Sequence, residues 1–343
     1  MVDGRWTRRI LGTLAFAGGL IAASPALAQQ TTLPDPIISA SGPSDEAAPT
    51  VSDPASSDVV LTSDFAHRMT LPVYITGKGP YPFMIDTGSQ RTLLSAELAS
   101  LLTLQQGAAV RIISLSGPAM LPTATIAHLR YGQEEVRNLT TLLVAEMHLG
   151  GPGILGLDGL KGKKLVLNFA TQRMEVGNSR PQSRDSEDEG TIVVRARNRM
   201  GQLILVNTLV GGQRTSVILD TGAQYSVGNL ALLGKLRADR LALPPTAVRL
   251  VSVTGDSVEA QMAVVKAVTV GDVVMHDVPV IFTDAAPFRE LRLADKPAMF
   301  LGMQILRLFD RIAIAFERKR VDFQMPKPAR AAAERSGRTG DAG

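Results

Sequence analysis

Two octapeptides hold the residues that could do chemistry. Phe83-Met84-Ile85-Asp86-Thr87-Gly88-Ser89-Gln90 ends an apolar run on a carboxylate, then adds a hydroxyl residue and a glycine. Val217-Ile218-Leu219-Asp220-Thr221-Gly222-Ala223-Gln224 repeats the pattern. One Asp-Thr-Gly alone reads equally well as a tight strand–turn whose carboxylate bonds its own backbone. Two copies in matching surroundings imply two half-sites that meet. Carboxylates within about 3 Å of each other cannot both ionise, so they share one proton and titrate as a pair. One member can then take a proton from water while the other protonates a carbonyl: general acid–base hydrolysis of an amide, with no covalent intermediate. Gly88 and Gly222 would let backbone N–H groups come close to the carboxylates. Thr87 and Thr221 supply hydroxyls for bonds across the axis between the halves. Ser89 offers Asp86 a hydrogen bond that Ala223 cannot offer Asp220. That difference predicts a shared proton held mainly on Asp220, with Asp86 the more acidic partner.

Each turn needs elements to position it, and the chain supplies a similar set twice. In the first half, Met69 to Ile75 and Tyr81 to Ile85 read as strands around a Gly77-Lys78-Gly79-Pro80 turn. Ser95 to Leu102 reads as a short helix with Ser95 as its N-cap. Val110 to Leu115 and Thr123 to Leu129 form a hairpin, Val136 to Val144 a strand, and Ile154-Leu155-Gly156 a second apolar approach to a turn. In the second half, Asn229 precedes a helical stretch from Leu230 to Leu236, and Val248 to Val253 pairs with Val258 to Val265. Phe300-Leu301-Gly302 repeats Ile154-Leu155-Gly156, and the longer spacing before it fits a longer loop around Thr283 to Ala298. The fold expected is all-β and bilobal, two duplicated β domains related by a pseudo-two-fold axis with the active unit formed within one chain.

The ends set the boundaries. Arg5, Arg8 and Arg9, the apolar run from Ile10 to Ala23 and Ala26-Leu27-Ala28 give residues 1–28 the form of a signal peptide. Residues 29–58 read as a disordered leader, 59–177 as the N-terminal domain and 178–190 as a polar linker. The C-terminal domain spans 191–325, and 326–343 is a disordered tail. The chain is expected to be periplasmic or secreted, with no stable membrane span after signal cleavage. A net charge of +4, with basic residues gathered partly in the terminal segments, leaves no basic face for nucleic acid. The absence of cysteine excludes a thiol nucleophile and a thiolate metal site. His67, His128, His148 and His276 lack ligand spacing, so neither a metal nor a cofactor is expected.

The paired Asp-Thr-Gly turns, each followed by an apolar-apolar-Gly, resemble the aspartic protease clan over about Val59 to Gln324. Both halves are similar to the retropepsin-like unit of retroviral and bacterial periplasmic aspartyl proteases. Leu155-Gly156-Leu157-Asp158-Gly159-Leu160 and Leu301-Gly302-Met303-Gln304-Ile305-Leu306 resemble the bacterial version. The resemblance implies an aspartic endopeptidase acting on peptide or protein substrates, with Asp86 and Asp220 as its catalytic pair. Thr87, Gly88, Ser89, Thr221, Gly222 and Ala223 would support that pair. Hairpin flaps are implied near Ser114 to Met120 and Val253 to Val258, with Ser116, Gly117, Thr254 and Gly255 at the substrate. The first flap departs from the pepsin pattern in having no tyrosine. Two alternatives stand beside this reading: a peptide-binding protein on the same fold that no longer cuts, and an actin- or sugar-kinase-like ATPase. The second is also internally duplicated and uses Asp-x-Gly phosphate loops.

Overall fold

A computed structural model describes residues 69–160, 162–178 and 191–326, together with the backbones of short strands at 13–14, 37–40, 57–60 and 62–63. Within the described residues each half builds the same frame around its Asp-Thr-Gly turn. In the first half Lys78–Ile85 pairs antiparallel with Met69–Ile75 on one side and parallel with Gly153–Leu155 on the other. Gly153–Leu155 also pairs with Leu93–Ser95, which continues in parallel onto Glu134–Val144. In the second half Ser216–Leu219 pairs antiparallel with Gln202–Leu205 and parallel with Ala298–Leu301. Ser226–Gly228 then bridges Ala298–Leu301 to Val273–Phe282.

The two-residue alternation of a strand decides what each Asp-bearing strand buries. Phe83 and Ile85 join Val217 and Leu219 in the large core shared by the lobes. Met84 and Ile218 point the other way, each into a smaller apolar cluster on the same face as the following Asp. Register thus delivers the Asp to the face away from the large core, with an apolar neighbour two residues before it.

The lobes are also joined by backbone. Lys163–Asn168 from the first half pairs antiparallel with Arg311–Ala315 from the second, in register from Lys164 opposite Ala315 to Asn168 opposite Arg311. Arg173–Asn178 and Arg320–Gln324 flank this seam, and Thr191–Arg199 extends it. A continuous sheet under both lobes fixes their relative position.

The helices are few and short. Ala96–Leu101 is capped by Ser95, whose Oγ accepts from the Leu98 N–H at 2.9 Å. Leu230–Leu233 is capped by Asn229 in the same way and is shorter than the stretch to Leu236 that the sequence suggests. The long loop after Thr283 holds a further helix, Ala286–Glu290, which sets Phe288 against Phe300 with ring centroids 5.0 Å apart. No helix among the described residues is long and apolar enough to cross a membrane.

Linker residues 179–190 and the tail beyond 326 lie outside the described residues. Inside the stretch read as a leader, Ile37–Ala40 pairs antiparallel with Val273–His276, and Ser57–Val60 pairs with Arg173–Val176.

Candidate active site

Asp86 and Asp220 are brought together at the seam between the lobes, both fully buried. Each turn is first held by its own backbone. Gly88 and Ser89 donate their N–H groups to Asp86 Oδ1 at 2.7 and 2.9 Å. Gly222 and Ala223 do the same for Asp220 Oδ1 at 3.0 and 3.1 Å. The threonines then lock one turn to the other. The Thr87 N–H donates to Thr221 Oγ1 at 3.0 Å, and the Thr221 N–H donates to Thr87 Oγ1 at 3.2 Å. The Thr87 hydroxyl donates on to the Leu219 carbonyl and the Thr221 hydroxyl to the Ile85 carbonyl, at 3.0 and 2.8 Å.

The glycines sit where the two turns touch. A Cβ on Gly88 would lie 2.7 Å from Asp220 Cγ, and one on Gly222 would lie 2.3 Å from Asp86 Cγ. Each carboxyl therefore rests against the opposite glycine. The apolar-apolar-Gly segments brace the turns from behind. Leu155 and Leu301 carbonyls accept from the Asp86 and Asp220 N–H groups, both at 3.0 Å. Leu157 and Met303 donate back to the Ser89 and Ala223 carbonyls at 2.9 and 2.8 Å.

In each carboxyl one oxygen takes the backbone donors, while the other, Oδ2, receives no donor from outside the pair. Burial raises both groups, Asp220 to about 6. Asp86 is raised well above the ordinary carboxylate range by burial first, then by the charge of Asp220 and a hydrogen bond to it. Both carboxyls therefore keep their protons to a higher pH than an ordinary carboxylate does.

Ser89 does not tilt that balance as its type suggests. Its hydroxyl donates to the Arg91 carbonyl at 2.7 Å, and only its backbone N–H serves Asp86, as that of Ala223 serves Asp220. The expected asymmetry therefore lacks the bond that was to cause it. Ser89→Ala should leave the acid limb of a kcat/KM profile against pH within about 0.3 unit of the parent, well below the unit or so that losing a hydrogen bond to a charged group would give. A larger shift would mean that the hydroxyl turns to the carboxylate in the working enzyme.

Two long hairpins, one from each lobe, reach toward the opposite lobe. The first runs from Gln106–Ile113 into Pro118–Tyr131, and the second from Leu241–Val251 into Ser257–Val270. Their tips exchange places. Leu115 packs in the second lobe's cluster with Phe288 and Phe300, while Val253 packs in the first lobe's with Met84 and Ile154. Ala286 donates its N–H to the Leu115 carbonyl at 3.2 Å, and Ser116 Oγ donates to Asp256 Oδ2 at 3.3 Å. Of the residues expected at the tips, Gly117 is buried and Thr254 half-buried, while Ser116 and Gly255 lie exposed, with Gly255 against the His148 ring. The side chains that cross into the other lobe are their neighbours Leu115 and Val253.

Sequence reasoning missed three further residues. Asp158 accepts from the Thr92 N–H and hydroxyl at 2.8 and 2.7 Å and pairs with Arg91 Nε at 3.3 Å. Gln202 donates its side-chain amide to the Gly88 carbonyl, and Gln90 donates to the Met200 carbonyl. Only Asp158 had a sequence signal, as the residue two after the apolar-apolar-Gly.

An all-β chain of two similar lobes that meet at paired Asp-Thr-Gly turns has the construction of an acid protease. Comparison with protein families agrees: the family described as aspartyl protease matches residues 71–158 and, separately, 206–305. The chain belongs to the aspartyl protease family. The two matched regions correspond to the two retropepsin-like half-domains in one chain. A search of curated proteins gives no match. Nothing in the fold or the comparisons supports the phosphate-loop ATPase alternative.

Proposed function

We propose that the protein is an aspartic endopeptidase that cleaves extended peptides in the cleft between its lobes. The observation that carries this reading is the pair of buried carboxyls, one from each lobe, hydrogen-bonded to each other and each with an Oδ2 that no other group donates to. An uncommitted oxygen on each side is what a water held between two carboxyls requires. One carboxylate takes the proton of that water as it attacks the peptide carbonyl. The other carboxyl gives its proton to the carbonyl oxygen, and the tetrahedral species collapses with transfer of a proton to the leaving amine.

Substrate would replace the flap tips. Leu115 and Val253 pack in the apolar clusters that hold Ile218 and Met84, each two residues before an aspartate, so the side chains flanking the scissile bond should be apolar and of similar size. The peptide would lie extended under the flaps and pair with their edges as an added strand. The same proposal has the activity outside the cytoplasm, periplasmic or secreted, a reading supported by the signal-like pattern at 1–28.

The test is incubation of the purified chain with a mixed peptide library at pH 3 to 7, with and without pepstatin, followed by mass spectrometry of the products. Pepstatin-sensitive cuts between apolar residues are expected. Peptides retained but uncut at every pH would replace this reading with that of a non-cleaving peptide binder.

A further inference from the structure

Gly88 touches both aspartates. Its N–H donates to Asp86 Oδ1 at 2.7 Å, and its α-carbon faces the Asp220 carboxyl so closely that a Cβ would lie 2.7 Å from Cγ. The third side of this residue, its carbonyl oxygen, accepts the side-chain amide of Gln202. Gln202 belongs to the other lobe, at the start of Gln202–Leu205, and is fully buried. Two residues earlier in the same hairpin, the Met200 carbonyl accepts from the Gln90 side chain. The connection between Thr191–Arg199 and Gln202–Leu205 is thus tied to both ends of the segment Gly88–Gln90 by two amides donating in opposite directions.

We propose that Gln202 is a positioning residue for the catalytic pair: it holds Gly88 from the side opposite the carboxyls and thereby sets how closely the Asp86 turn approaches Asp220. The role needs a donor of fixed orientation, and the surroundings supply that. The amide nitrogen is committed to Gly88, while the amide oxygen is buried without a partner. An unpaired buried amide oxygen costs stability, and the bond to Gly88 is the one this side chain makes among the described residues. Without the donor, the Gly88 carbonyl loses its anchor and the turn can recede from Asp220. Additional solvent can then reach the carboxyls beside the one water they hold and lower their raised titration. Misplacement of this kind reduces turnover more than substrate binding.

This inference rests on the peptidase reading, and its test separates the two. Gln202→Met keeps the shape and removes the donor; Gln202→Glu donates only when its carboxyl is protonated. The full chain and both variants are compared on one apolar peptide from pH 3 to 7, and the aspartate carboxyls are followed by 13C NMR titration. For Gln202→Met, kcat should fall about tenfold or more with KM within about twofold of the parent, and the pair should titrate closer to the ordinary carboxylate range. For Gln202→Glu, kcat relative to the parent should recover as pH falls and the new carboxyl protonates. Parental kcat and an unmoved titration in Gln202→Met would overturn the proposal, as would a Gln202→Glu that tracks Gln202→Met at every pH. If Gln202→Met does not fold, the near-isosteric Gln202→Glu at low pH carries the test. A parent chain that cleaves nothing counts against the peptidase reading alone, because the NMR titration still decides the role of Gln202.

Discussion

Asp86→Asn and Asp220→Asn should each abolish peptide cleavage, with kcat falling about 10⁴-fold or more, and the double variant should be little worse than either single one. An asparagine neither takes a proton from water nor gives one to a carbonyl, and the remaining carboxyl cannot do both in one step. The same variants should change stability in the opposite sense. Both carboxyls are raised by burial, Asp220 to about 6. A carboxyl raised on folding binds its proton more tightly in the folded state, so its stabilising contribution is complete below the unfolded value near 3.8 and is lost as pH rises through the folded one. The parent chain should therefore lose thermal stability between about pH 4 and pH 6, and each Asn variant should lose less over that window. Activity against pH and thermal melting across the same buffers check both halves. Single variants that keep substantial turnover, or that combine with merely additive losses, would mean that the two aspartates do not act as one unit.

What was legible in the sequence is what short-range rules determine. The turn residues Asp86-Thr87-Gly88 and Asp220-Thr221-Gly222 impose their own backbone bonds, two and three residues apart, so the motif alone locates them. Alternation placed both long hairpins, and duplication implied the bilobal β fold to which the family match then corresponds. Ser89 shows where such rules stop. Its hydroxyl had a competing acceptor two residues on, the Arg91 carbonyl, and took it, as serines next to turns commonly do. The cross-lobe contacts were beyond reach for another reason. Gln202 and Gly88 are 114 residues apart, and neither type nor spacing marks them as partners. Leu115 and Val253 look in the chain like any apolar residue near a hairpin tip. Their exchange between lobes depends on how the lobes are set, which the shared sheet from Lys163–Asn168 to Arg311–Ala315 decides.

Gly222→Ala should be among the most damaging single-methyl substitutions in the chain, and more so than Gly88→Ala. Neither glycine adopts the left-handed backbone that disfavours a side chain, so the issue is space alone. A Cβ at 222 would lie 2.3, 2.4 and 2.7 Å from Cγ, Oδ2 and Oδ1 of Asp86, whereas one at 88 would lie 2.7, 3.0 and 2.7 Å from the same atoms of Asp220. These carboxyls cannot swing aside at little cost, because each is held through Oδ1 by two backbone N–H groups. The lobes cannot separate to make room either, since the crossed threonine bonds bind the two turns together. The methyl must therefore displace the catalytic turn itself. We expect a stability loss of about 1–3 kcal/mol, typical of overpacking, and a fall in kcat of about 100-fold from misplacement of roughly 1 Å. Gly151→Ala is the matched control, because a Cβ there would meet nothing within 4 Å. Thermal melting and kcat on one peptide for the three variants give the comparison. Parental turnover in Gly222→Ala would mean that the carboxyls do not rest against the opposite glycines in the active enzyme, and the close-contact geometry assigned to the pair would have to be abandoned.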